Sequence, residues 1–86
     1  MSEQLEPLLH EIVRKSVEKY LGDLQGEKPS NLHGLTLSQV EKPLFEVVLE
    51  YANGNLSKAS SVLGINRATL RAKLKKYRIK YSKTLN

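Results

Sequence analysis

Asn66, Arg67, Thr69 and Arg71 fall within six consecutive positions, and Lys73, Lys75 and Lys76 follow directly. Carboxamide, hydroxyl and guanidinium groups set this closely offer hydrogen-bonding atoms beside fixed positive charge. That combination suits the edges of bases and the oxygens of phosphates. From Asn55 to Asn86 nine Lys and Arg residues occur without a single Asp or Glu. All nine acids lie between Glu3 and Glu50, so residues 1–54 carry a net −4 and residues 55–86 a net +9. The overall +5 hides this division. It points to a polyanionic partner, nucleic acid or an anionic membrane, against the plainer alternative of a solvated basic face.

The elements that must hold these residues are two short helices. Asn55 or Ser57 can cap the first, which runs through Leu63 with Ala59, Val62 and Leu63 inward. Gly64-Ile65 makes a tight turn, and Asn66 caps a second helix that extends to about Tyr77. Leu70, Leu74 and Tyr77 recur on one face of it. Small residues, Ala59 and Ser60, sit where the second helix would cross the first. Two short helices joined by a glycine-containing turn are a helix-turn-helix. Base edges are reached first by the start of the second helix, hence by Asn66, Arg67 and Thr69, with Arg71 one turn on. Arg67 can bond guanine O6 and N7 together. Asn66 serves as a cap, a base contact or both. Asn55 and Ser57 suit phosphate, and Lys73, Lys75 and Lys76 suit neutralisation of the DNA backbone.

Upstream, Leu5, Leu8, Leu9, Ile12, Val13, Val17, Tyr20, Leu21 and Leu24 recur at helical spacing, predicting a helix from about Leu5 to Gln25. Pro7 fits its first turn. Its apolar stripe is wide enough to need two neighbours. After the loop "GEKPSNLHG", Leu37, Val40, Leu44, Val47, Val48 and Tyr51 mark a second long helix. Thr36 with Gln39 is its capping-box start, and Ser30 an earlier alternative. Pro43 falls inside, where a kink is preferred to a break because the apolar spacing stays in phase. Asn53-Gly54 ends this helix with residues that tolerate positive φ. Phe45, Tyr51 and Tyr77 read as core, which leaves Tyr81 as a lone stacking candidate.

At 86 residues the chain is one small domain with a thin core, so oligomerisation is the expected source of further burial. The absence of Cys excludes disulfides and cysteine zinc sites. His10 and His33 stand alone, so no metal or other cofactor is expected. Neither a Ser-His-acid set nor a glycine-rich phosphate loop is present, and the chain does not read as an enzyme. The start "MSEQLEPLLHE" is no signal peptide, and no apolar run approaches the roughly 18 residues of a membrane span. A cytoplasmic protein follows, without a membrane partner or a small-molecule substrate.

The stretch "EKPLFEVVLEYANGNLSKASSVLGINRATLRAKLKKY" closely resembles the Fis family, the bacterial factors for inversion stimulation. Its core, "GN…A…LGINR.TLR.KLKKY", is specific, and the likeness extends back through "VEKYL" to about Pro7. The helix-turn-helix of NtrC-type activators is similar only over the last part, and their ATPase domain has no counterpart here. The resemblance implies an all-α, four-helix subunit within one compact domain. Residues 1–54 would supply two long helices to a four-helix dimer core, and residues 55–86 a C-terminal helix-turn-helix. It implies a homodimer that binds and bends double-stranded DNA, regulates transcription in the nucleoid, and selects degenerate sites with A/T-rich centres. The family's DNA-contacting positions match Asn55, Ser57, Asn66, Arg67, Thr69, Arg71, Lys73, Lys75 and Lys76.

Three departures qualify it. Ala72 stands where relatives carry a basic residue, which removes a flanking phosphate contact and some bending. Asn53 and Leu56 replace basic and polar residues that some relatives use on RNA polymerase, so the sequence weighs against that contact without removing it. The chain begins almost at its first helix, and DNA binding without stimulation of DNA invertases is expected. The competing reading is a helical protein-interaction module whose basic half docks on RNA or an acidic partner.

Overall fold

Four helices, with no strand among the described residues, make up the computed structural model, which describes residues 7–81. They are α1 (Pro7–Gly22), α2 (Leu32–Tyr51), α3 (Leu56–Leu63) and α4 (Arg67–Lys76). The expected all-α class and helix order are as found. The contacts divide the chain into two units, residues 1–36 and residues 37–86.

In the first unit, Pro7 opens α1, as its locked φ and missing N–H favour. The expected start at Leu5 lies outside the described residues. The helix stops at Gly22 rather than Gln25, because Gln25 (φ 52°) and Gly26 (φ 89°) both turn left-handed. No described residue of this unit is buried: Leu8, Leu9, Ile12 and Leu21 are exposed, while Val13, Val17, Tyr20 and Leu24 are half-covered. Lys19 and Asp23 pair at 2.9 Å in the open, an interaction that adds little to stability. Helix α2 starts at Leu32, ahead of the expected Thr36 cap, with Leu35 N–H donating to the Asn31 carbonyl. Gly34 does not interrupt it. A Cβ there would lie 2.6 Å from Asn31 Oδ1, so the missing side chain makes room for Asn31 over the first turn.

The second unit holds the core. Phe45, Val48, Leu49 and Ala52 from α2 and its end pack with Leu56, Ala59, Leu70, Leu74 and Ile79, and Leu63, Ile65 and Tyr77 fill in around them. Pro43 leaves α2 a single helix, although its ring nitrogen donates no hydrogen bond to Gln39. Two apolar stripes run along this part of α2. The buried one is Phe45, Val48 and Leu49; the other, Val40, Leu44, Val47 and Tyr51, lies roughly 120° round the helix. Tyr51, expected in the core, belongs to this outer stripe and is 65% exposed.

Asn53 (φ 53°) and Gly54 (φ 77°) turn the chain out of α2, as the sequence predicts. Val62, expected inward on α3, is 52% exposed. Leu56, Ala59, Ser60 and Leu63 take the inner face, and Val62 lies one residue, about 100°, away from Leu63. Beyond α4, Arg78 (φ 56°) is left-handed and Ile79 N–H returns to the Leu74 carbonyl at 2.9 Å. That closing turn folds Ile79 back into the core.

Candidate nucleic-acid interface

The N-terminus of α3 is made by Asn55, in extended backbone (φ −80°, ψ 110°) with Oδ1 accepting from Lys58 N–H at 3.1 Å. The cap is therefore Asn55, not Ser57. It uses the carbonyl end of the carboxamide and leaves the –NH₂ end out of the cap. At the other end of α3, Gly64 has φ 75° and ψ 27°, and both its N–H and that of Ile65 reach the Ser60 carbonyl. A side chain at this left-handed position would cost roughly 1–2 kcal/mol. The paired bonds end α3 and, within three residues, aim the chain into α4.

Asn66 caps α4 in the same way, its Oδ1 accepting from Ala68 N–H at 2.7 Å. The capping role expected for it is present. The two helices close on each other through Ala59 and Leu70, both fully covered. Ser60 donates its hydroxyl to the Ser57 carbonyl at 3.0 Å, which satisfies the one buried polar side chain of the described core.

Among the residues singled out by sequence, the structure ties two directly. Arg67 donates from Nη1 to Ser57 Oγ at 2.8 Å, joining the first residue of α4 to the first turn of α3. Thr69, Arg71 and Lys75 are exposed along α4. Lys76 is exposed too, its Nζ 5.6 Å from the centre of the Tyr77 ring. Lys58, a cation not among the singled-out positions, lies 5.0 Å from the Tyr51 ring centre. Leu56 is only 7% exposed and belongs to the core, so it offers no surface for a partner.

Lys73 is placed differently from the other cations. Its ammonium donates to Glu41 Oε1 at 3.1 Å, and the same oxygen accepts from the Tyr77 hydroxyl at 2.5 Å. The side chains of Lys73 and Glu41 are 29% and 17% exposed. Burial pushes the Glu41 carboxyl up, but the hydrogen bonds from Tyr77 and Lys73 and the charges of Lys73 and Lys76 outweigh it and hold it below the ordinary carboxylate range. Tyr77 is raised in turn, by its hydrogen bond to Glu41 first and then by burial and the carboxylate's charge. The tyrosine ring also leans on Phe45, with centroids 6.2 Å apart. Sequence reasoning did not single out Glu41. It lies 32 residues before Lys73, and its only visible signal was being an acid in a helix that precedes an all-basic segment.

Two capped helices that meet at Ala59 and Leu70 across a three-residue turn define a helix-turn-helix. A family model described as "Bacterial regulatory protein, Fis family" matches residues 36–77, from the first turns of α2 to the end of α4. A DNA-binding protein Fis from Buchnera aphidicola is 49% identical over 69 residues, which cover 80% of this chain and 70% of that protein. One from Psychromonas ingrahamii is 48% identical over the same share of each chain. One from Mannheimia haemolytica is 43% identical over 76 residues, 88% of this chain and 78% of that protein. The chain belongs to the Fis family.

Proposed function

We propose that this chain is a homodimeric, nucleoid-associated regulator of transcription that binds and bends double-stranded DNA in the bacterial cytoplasm. The observation that carries the reading is the Arg67–Ser57 bond, set among exposed cations on a segment free of acids. A guanidinium held at the start of α4 supports a reading in which Arg67 bonds guanine, and the start of α3 suits a phosphate. The relatives named above are DNA-binding proteins, which supports carrying that partner to this chain. Asn55, Ser57, Asn66, Arg67, Thr69, Arg71, Lys75 and Lys76 make up the proposed interface. Lys73 stands apart because Glu41 holds it.

The uncovered apolar side chains support dimerisation. Val40, Leu44, Val47 and Tyr51 form an exposed stripe on α2, and α1 leaves Leu8, Leu9, Ile12 and Leu21 exposed. A second copy is the partner that covers them, and residues 1–54 are its proposed dimerisation region. DNA bending and the preference for A/T-rich centres rest on family membership. Paired recognition helices spaced more closely than one DNA turn require a compressed central minor groove, which A/T-rich sequence grants most cheaply. No helix among the described residues is long and apolar enough to cross a membrane.

A duplex of about two and a half turns, labelled at both ends, tests the bending. Energy transfer between the ends rises on binding if the duplex bends, and rises at lower protein concentration with an A/T-rich centre. Binding without any rise in transfer overturns the bending reading.

A further inference from the structure

Every acid in the chain precedes Asn55, yet the fold carries one of them, Glu41, onto the basic helix. Lys73 on α4 and Tyr77 at its C-terminal cap are one turn apart, and a single oxygen of Glu41 accepts from both. Among the described residues, Lys73 is the one cation after Asn55 that is paired with a carboxylate. Arg67 bonds a hydroxyl, and Lys58 and Lys76 lie against tyrosine rings. Glu41 thus offers Lys73 what a DNA phosphate would offer, an anionic oxygen at hydrogen-bond distance. It also keeps its charge readily, since its carboxyl ionises below the ordinary range.

We propose that Glu41 is an internal competitor of DNA, which withholds Lys73 from the phosphate backbone and so lowers affinity for DNA of every sequence. The inference rests on the DNA-binding reading above. Lys73 is the cation controlled, Glu41 the positioning residue that controls it, and Tyr77 the group that fixes Glu41 in place. Each phosphate neutralised adds about 0.9 to the steepness with which log affinity falls against log salt. A withheld lysine removes one such increment and leaves base discrimination by Arg67 untouched.

The test is the salt dependence of binding to one target duplex and one unrelated duplex, for wild type, Glu41→Gln and Lys73→Gln. Glutamine keeps the shape of Glu41 and an acceptor for Tyr77 but loses the charge that holds Lys73. Glu41→Gln is expected to bind both duplexes more tightly, with a slope steeper by about 1.8, one increment of about 0.9 from each chain of the dimer. The double variant Glu41→Gln/Lys73→Gln is expected to lose that gain. Lys73→Gln alone is expected to keep the wild-type slope, and this arm stands even if Glu41→Gln fails to fold. A slope shallower by about 1.8 in Lys73→Gln, about 0.9 for each chain of the dimer, or an unchanged or shallower slope in folded Glu41→Gln, overturns the proposal. Wild-type protein that binds neither duplex at low salt overturns instead the DNA-binding reading on which it rests.

Discussion

The Nη1 of Arg67 lies 2.8 Å from Ser57 Oγ, and this bond joins the starts of α3 and α4 ten residues apart in sequence. An exposed arginine ordinarily samples many rotamers. One that is tethered loses less freedom when it meets a base, so the bond prepares the guanidinium for recognition. Replacing Arg67 by Ala should weaken binding to a guanine-containing site by about 1–3 kcal/mol per half-site and relax the preference at one base position in each half-site. Ser57→Ala, which keeps the charge but frees the guanidinium, should cost less, about 0.5–1.5 kcal/mol, with the salt slope unchanged. Anisotropy titrations on single-base variants of one site measure both.

Asn66 caps α4 through its side-chain oxygen, and that role is separable from DNA contact. Asp caps a helix as well as Asn does, so Asn66→Asp should melt within a degree or two of wild type and yet bind DNA more weakly, since it places an anion against phosphate. Asn66→Ala should lose about 1 kcal/mol of stability through the missing cap. Thermal melts beside affinity measurements distinguish the two effects.

The contact of Glu41 with Tyr77 and Lys73 links stability to pH at both ends of the range. Glu41 is lowered from 4.5, so its contribution is present above that value and is lost as pH falls through the lower folded value. Tyr77 is raised from 10.0, so its contribution is full below that value and is lost as pH rises through the higher folded value. Melting temperature should therefore be flat between about pH 5 and pH 9 where this contact is concerned, and decline outside it. Tyr77→Phe should abolish the alkaline decline and soften the acid one. Melts across the pH range in both proteins check this.

Val47 is 62% exposed in the middle of the outer stripe of α2. A charge there should disturb little within one chain but forbid burial against a second. Val47→Glu is expected to sediment as a monomer while keeping its helical circular dichroism, and to lose affinity for a full site far more than for a half-site.

The helix-turn-helix was legible in the sequence because its signals are local. Asn55, Gly64 and Asn66 each solve a backbone problem within a few residues, and the structure uses all three as caps or turn. Leu70 and Leu74 announced the inner face of α4 by spacing alone, and both are buried. Where tertiary contacts decide, the sequence was silent or misleading. Tyr51 and Val62 are apolar at plausible helical spacing, yet each sits beside a stripe that other residues fill. At the early start of α2, Asn31 lies over Gly34, a contact that helix propensity does not reveal. Lys73 looked like its basic neighbours in sequence, and only the fold brings Glu41 to it.

The most direct test is a competition between two duplexes of about 25 base pairs, one with guanines flanking an A/T-rich centre and one with a G/C-rich centre, titrated at several salt concentrations. Tighter binding to the A/T-centred duplex, two chains per duplex and a steep fall of affinity with salt are expected. Equal affinity for the two duplexes with the same salt slope would contradict a bending dimer. Failure to bind either at moderate salt would contradict DNA as the partner altogether.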